Sequence, residues 1–160
     1  MNRSEQYVAA LCAKTFLGLW SYPNPRGSDG KELCDLLVVC DPDVVIFSVK
    51  DIALTNSGNS VVDWKRWCRR AIDDSAKQIA GAERWIDSAT KVITNTGEVA
   101  ISFPPKGRRR LHRVAVAFGS KEQLPIVSED FGKGFLRFSV GLEDPEDLIE
   151  DLKQAIKQVV

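Results

Sequence analysis

"CDLLVVCDPDVVIFSVKDI", residues 34–52, contains two apolar runs separated by a short turn that carries a proline. Asp35 precedes the first run, Leu36–Val39, and Lys50 follows the second run, Val44–Val49. Two such runs joined by a short proline-containing turn predict a β-hairpin. Because neither run alternates with polar residues, we expect both strands to be covered on both faces of their sheet.

The segments on either side of this hairpin alternate between helical and extended patterns. Apolar residues spaced three and four apart predict a helix within residues 4–20 and a long helix over residues 60–88. Residues 21–32, rich in Pro, Gly and Ser, predict a loop. Strands are predicted within 90–103, at 111–119 and at 134–140, and a last helix after Asp144-Pro145. This order predicts an α/β fold with a mixed sheet flanked by helices.

The composition is that of a soluble globular domain. The chain of 160 residues fits one domain, 1–160, and no apolar stretch approaches the roughly 20 residues of a membrane span. The N-terminus does not resemble a signal peptide, and the four dispersed cysteines suit a reducing compartment, so we expect a cytoplasmic protein without a membrane partner. The last helical pattern runs to the final residue, which is compatible with the N-terminal part of a longer protein.

The net charge of zero hides an uneven distribution. Residues 60–119 carry twelve Lys and Arg against six Asp and Glu, a net charge of +6, between two acidic flanks. A basic loop within this segment contains Lys106, Arg108, Arg109 and Arg110, with Arg113 just beyond it. These side chains are predicted to contact a DNA backbone, or alternatively to form a solvated loop.

The element order, together with the positions of Asp35 and Lys50, resembles the PD-(D/E)xK nuclease superfamily, which has the restriction-endonuclease-like fold. In that family an early helix often carries a glutamate, the next strand opens with a metal-binding aspartate, and the following strand ends in acid-x-lysine. Glu5, Asp35 and Lys50 fall on the matching elements, and the resemblance covers residues 4 to 118. It implies a three-layer core and Mg²⁺-dependent (or Mn²⁺-dependent) hydrolysis of DNA.

The resemblance also implies roles for individual residues. Asp35 and the carbonyl of Val49 would hold the metal ion, and Lys50 would position the attacking water. Ser48 and Glu5 would assist. Lys77 and Gln78 lie where related nucleases place helix residues that face the site, and Gln78 is expected to face inward more than Lys77.

Ser48 departs from the family pattern, which has an acidic residue at that position. One group of restriction enzymes in the superfamily has S-x-K here and takes its acid from the following helix. Asp63, 13 residues after Lys50, is the matching candidate for the second metal-binding carboxylate. Alternatively, Ser60 to Asp63 form a capping box. Two further alternatives are that Asp35 is a turn residue and that Glu5 only complements the first turn of its helix.

These residues lead to two hypotheses for function. The first is a Mg²⁺-dependent DNA endonuclease, with RNA not excluded, that acts as an effector in prokaryotic restriction or anti-phage defence. A homodimer and control by a regulatory domain or partner protein are compatible with it. The second is a catalytically degenerate member of the fold that binds nucleic acid or serves as an assembly module, and Ser48 favours this second hypothesis.

Overall fold

The computed structural model describes residues 1–119 and the strand at 135–139. The helices and strands are α1 (Arg3–Thr15), β1 (Ser21–Pro23), β2 (Leu36–Cys40), β3 (Asp43–Asp51), α2 (Ser60–Cys68), α3 (Asp74–Ser88), β4 (Lys91–Ile93), β5 (Val99–Ser102), β6 (Arg110–Phe118) and β7 (Phe135–Ser139). The predicted helix after Asp144-Pro145 lies outside the described residues. Among the helices that are described, none combines the length and apolar character that crossing a bilayer requires.

The main sheet has five strands in the order β1-β2-β3-β6-β7. The pairs β1–β2 and β2–β3 are antiparallel, whereas the pairs β3–β6 and β6–β7 are parallel, so the sheet is mixed as predicted. The predicted hairpin is confirmed, with Cys40 paired to Asp43 at its turn. β4 and β5 form a separate two-stranded hairpin. The connection from β3 to β6 runs through the long helical segment and this small hairpin.

Helices cover both faces of the central strands. On one face, α1 packs Val8 and Cys12 against alternate residues of β2, β3 and β6, among them Leu36 and Phe47. On the other face, α3 packs Ile79 and Ile86, both 0% exposed, against Leu37 and its neighbours. Each fully buried isoleucine contributes about 1.5–3 kcal/mol of apolar burial. The hydrophobic core therefore has two layers, one on each side of the sheet.

The helical segment 60–88 is interrupted by one π-helical turn, Arg69–Asp73, where the sequence predicts a continuous α-helix. Its buried residues include Asp63, Trp67, Ala71, Ser75 and Ile79, each four positions after the last. An α-helix of 3.6 residues per turn would rotate such a series steadily off one face. The wider π turn takes up about one extra residue and keeps the series facing the sheet.

Three local details are not part of the sequence prediction. β1 lies within the segment predicted as a loop, because three residues with a proline give too short a strand pattern to recognise. Asn2 caps α1 through a capping box with Glu5. Asn59, rather than Ser60, caps α2, because its side chain accepts a hydrogen bond from the backbone N–H of Val62.

Candidate active site

Four polar side chains meet at the end of the sheet where β3 finishes. Ser48 and Lys50 continue the series of β3 residues that face α3, since alternate residues of a strand point to the same face. Asp35 lies directly before β2 and continues that strand's series on the same face. Gln78 reaches the cluster from α3. The pairing of β2 with β3 brings the beginning of one strand beside the end of the other.

Asp35 is held in this position by the backbone and is only 6% exposed. Its own N–H donates to the carbonyl of Phe47 at 3.2 Å, one position out of the β2–β3 register, in which Leu36 is the partner of Phe47. Its carboxylate accepts two hydrogen bonds, one at Oδ2 from the backbone N–H of Val49 (2.5 Å) and one at Oδ1 from the side-chain amide of Gln78 (3.2 Å). The Lys50 ammonium lies 3.8 Å from Oδ2. Asp35 therefore belongs to a buried polar cluster, and it has more contacts than the alternative interpretation as a turn residue requires.

Gln78 connects the other members of the cluster. Its Oε1 accepts one hydrogen bond from the Lys50 ammonium and one from the Ser48 hydroxyl, each at 2.8 Å. Ser48 is fully buried and also lies 3.1 Å from the hydroxyl of Ser75. The inward orientation expected of Gln78 is therefore found in the structure. Ser75, which sequence reasoning missed, sits three residues earlier on the same buried face of the helix.

The oxygen atoms at this end of β3 have the chemistry that a hard divalent cation needs. The N–H of Val49 donates to Asp35, and because the N–H and C=O of one strand residue lie on the same edge of the strand, the Val49 carbonyl lies on the edge of β3 that faces β2. Mg²⁺ binds through as few as one or two carboxylates, with waters and substrate phosphates completing its coordination. Asp35 supplies one carboxylate to this end of β3. No cluster of three or more acidic, His or Cys side chains suited to a metal occurs in the described part of the chain.

Asp63, the predicted second carboxylate, does not join this cluster. It lies 15 residues before Gln78 in the same helical segment, which at about 1.5 Å per residue separates the two by about 20 Å. Both of its oxygens accept hydrogen bonds from Ser57, one from the backbone N–H and one from the hydroxyl, each at 2.7 Å. These bonds hold the pKa of the Asp63 carboxyl below its usual value. The carboxylate therefore fixes the loop that precedes α2, and the predicted Ser60–Asp63 capping box does not form.

Glu5 is likewise engaged elsewhere. Its carboxylate accepts hydrogen bonds from the backbone N–H of Asn2 at 2.9 Å and from the Asn2 side chain at 2.7 Å. α1 lies on the face of the sheet opposite to Asp35. The neighbouring Ser4 bonds to Asp51, which brings the start of α1 to the end of β3 without bringing Glu5 to the cluster. The structure thus gives Glu5 the capping role that was the alternative interpretation.

The basic loop lies at the other end of the sheet. Arg110 pairs with Asp43 at the start of β3, whereas Lys50 pairs with Ala117 near the end of β6. Seven residues of strand separate these two positions, a distance of about 23 Å. The loop therefore lies about 23 Å from the cluster at Asp35, and its predicted contact with a DNA backbone stays a prediction.

The cations of this loop also have intramolecular partners. Arg108 pairs with Asp41, Arg110 with Asp43 and Lys106 with Asp87. Arg109 bonds to the carbonyls of Ile86 and Ala89 at the end of α3, as well as to that of Pro104. Arg113 forms a two-pronged contact with Glu83. Each of these five cations thus has an intramolecular partner that the sequence does not reveal.

Two further sequence interpretations can be compared with the structure. Lys77 is 74% exposed and pairs with Asp74, so it faces away from the cluster. The sequence also predicts packing roles for the tryptophans of the long helix, because they lie in its apolar stripe. The rings of Trp64 and Trp67 stack with centroids 5.1 Å apart, and the Trp67 indole donates to the carbonyl of Ile52. They are packing residues, not open stacking platforms for bases.

The site therefore combines one buried carboxylate, one ammonium and a bridging amide at an end of a mixed α/β sheet. The Lys50 ammonium places a positive charge beside the Asp35 carboxylate, which also accepts the backbone N–H of Val49. Comparison with protein-family models, with curated proteins and with solved structures gives no match to this chain.

Proposed function

We propose that the protein is a metal-dependent nuclease that hydrolyses phosphodiester bonds of DNA, with the restriction-endonuclease-like fold. The observation that carries this proposal is the meeting of Asp35 and Lys50, from different strands, at one end of the sheet. The order of elements is the one that the resemblance implies: α1, then β2 with Asp35 directly before it, then β3 with Lys50 next to its last residue, and then α2. A role in restriction or anti-phage defence belongs to the same proposal.

Asp35 and the carbonyl of Val49 would hold a Mg²⁺ or Mn²⁺ ion. When bound there, the ion would polarise the phosphate and lower the pKa of a coordinated water. Lys50 would position the attacking water and balance the negative charge that develops during attack. Gln78 is a positioning residue, because its carbonyl oxygen orients the Lys50 ammonium and its amide orients Asp35. Ser48 in turn fixes Gln78.

A nicking assay on supercoiled plasmid tests this proposal. The wild type should cut in Mg²⁺ or Mn²⁺ and stop in a chelator, and Asp35→Asn and Lys50→Met should each lose about 100-fold or more in rate. Lys31→Met is the control, because Lys31 is 85% exposed in the loop before β2 and is paired only with Asp29. No metal-dependent cleavage by the wild type, or equal cleavage by all variants, would contradict the proposal.

The second candidate is a catalytically inactive member of the fold that binds nucleic acid. The observation that favours it is the single carboxylate: Ser48 is fully buried where the family has an acid, and Asp63 is bonded to Ser57. This candidate predicts DNA binding at low salt that is equal in Mg²⁺ and in chelator, with no cleavage at any metal concentration. The same plasmid, followed by mobility shift, separates the two candidates.

A further inference from the structure

Four cations form one exposed stripe on the segment α2 and the π turn. The basic stripe consists of Lys65, Arg66, Arg69 and Arg70, which are spaced three and four apart and so share one side of the helix. All four are exposed. None forms an ion pair with a carboxylate of the described residues, unlike the cations of the loop before β6. Arg66 interacts electrostatically with Asp63 without forming an ion pair, so the stripe carries positive charge that no ion pair of the described residues neutralises.

The stripe lies at the same end of the sheet as the candidate active site. Trp67, on the opposite side of α2, donates to the carbonyl of Ile52 directly after β3 and packs near Ala117, the strand partner of Lys50. α3 then runs back along the sheet, with Gln78 at Lys50 and Ile86 near the far end. The stripe therefore extends beyond the sheet end, between about 12 and 20 Å from Gln78 along the helix axis.

We propose that the basic stripe binds the phosphate backbone of duplex DNA and presents the strand to the cluster at Asp35 and Lys50. Exposed, unpaired cations release condensed counterions when they neutralise phosphates, and this supplies most of the sequence-independent affinity of a DNA-binding protein. At 3.4 Å per base pair, a separation of 12–20 Å corresponds to about four to six base pairs. This inference rests on the proposed nuclease function, which is the reason for choosing DNA as the polyanion. It assigns DNA binding to the basic stripe on α2 and the π turn and not to the basic loop.

The test measures binding in chelator, so it does not depend on cleavage. A fluorescent 20-base-pair duplex is titrated by anisotropy at several salt concentrations with the wild type and with the variant Lys65→Ala, Arg66→Ala, Arg69→Ala, Arg70→Ala. The control removes four positive charges away from the stripe: Lys91→Ala on β4, together with Lys106→Ala, Arg108→Ala and Arg110→Ala of the basic loop. Unchanged circular dichroism establishes that both variants are folded.

We expect the stripe variant to bind at least 10-fold more weakly and to lose roughly three to four units from the slope of log Kd against log salt. The control should keep the affinity and the slope to within about one unit. Equal loss in both variants, no loss in the stripe variant, or no duplex binding by the wild type would overturn the inference. So would wild-type binding to phosphatidylserine vesicles in place of duplex. Stripe-dependent binding without any metal-dependent cleavage would support the inference while contradicting the nuclease proposal.

Discussion

The ammonium nitrogen of Lys50 lies 3.8 Å from Oδ2 of Asp35, where the end of β3 passes the residue that precedes β2. The two side chains are 27% and 6% exposed, so the pair is partly withdrawn from water. A buried carboxylate without such a partner is strongly destabilising, and Lys50 reduces that cost. The same arrangement leaves a positive charge beside a set of oxygen ligands, which is the electrostatic basis of the proposed phosphate chemistry.

Gln78→Leu should lower the free energy of unfolding by about 1–3 kcal/mol, because it removes the amide that satisfies Ser48 and Asp35 inside the sheet–helix interface. Urea denaturation followed by circular dichroism measures this change. Lys77→Ala, one residue away on the exposed side of α3, should change stability by no more than about 0.5 kcal/mol. Similar values for the two variants would show that the hydrogen-bonded cluster does not form.

Gln78→Glu should make stability depend on metal. The new carboxylate keeps the acceptor for Lys50 but repels Asp35, so without a divalent cation the variant should unfold at a lower temperature than the wild type. A second carboxylate should also bind Mn²⁺ roughly 10-fold or more tightly, since affinity rises with the charge of the ligand set. Thermal melting and calorimetric titration with Mn²⁺ measure both effects. A melting temperature that Mn²⁺ leaves unchanged contradicts the assignment of ligands.

Asp63→Asn should lower the stability of the protein at neutral pH and reduce the further loss of stability on acidification. Hydrogen bonds from Ser57 lower the pKa of Asp63 below 3.8, so its ionised form stabilises the folded state above about pH 4. That contribution is lost as pH falls through the folded-state pKa. The melting temperature of the variant should therefore lie below that of the wild type at pH 7, and the gap should shrink below pH 4. A gap of equal size at pH 3 and pH 7 would exclude this role for the carboxylate.

Arg109→Ala should destabilise the protein by about 1–3 kcal/mol, because the guanidinium satisfies the last carbonyls of α3 and lies 4.9 Å above the ring of Phe103. Arg108→Ala is the matched control, since its side chain is 66% exposed and its ion pair with Asp41 contributes little. Denaturant titration measures both variants. If Arg108→Ala lowers the free energy of unfolding as much as Arg109→Ala does, the structural role assigned to Arg109 is wrong.

The sequence predicts the elements whose signals are local. The two apolar runs of residues 34–52 form the hairpin, and the three-and-four spacing of apolar residues predicts α1 and the long helical segment. The π turn is not predicted, although the repeated spacing of four at Trp67, Ala71 and Ser75 is its signature. β1 is missed because its pairing with β2 depends on the rest of the sheet and not on its own three residues.

The candidate site is predicted only in part, because its contacts join residues far apart in the chain. Asp35, Ser48 and Lys50 come together as the hairpin requires, and Gln78 reaches them from 28 positions beyond Lys50. Asp63 matches a spacing in the sequence, but spacing does not reveal that Ser57 bonds to both of its oxygens. Similarly, the pairing of Arg108 with Asp41 spans 67 positions and cannot be read from a run of basic residues.

The position of a bound Mn²⁺ ion tests the central claim most directly. Crystals soaked in Mn²⁺ would be measured at a wavelength where the ion scatters anomalously. The proposed function predicts an anomalous peak in contact with the carboxylate of Asp35 and the carbonyl of Val49, and no such peak in Asp35→Asn. A wild-type structure at saturating Mn²⁺ with no peak at Asp35, or with the ion held at Asp63 instead, would contradict it.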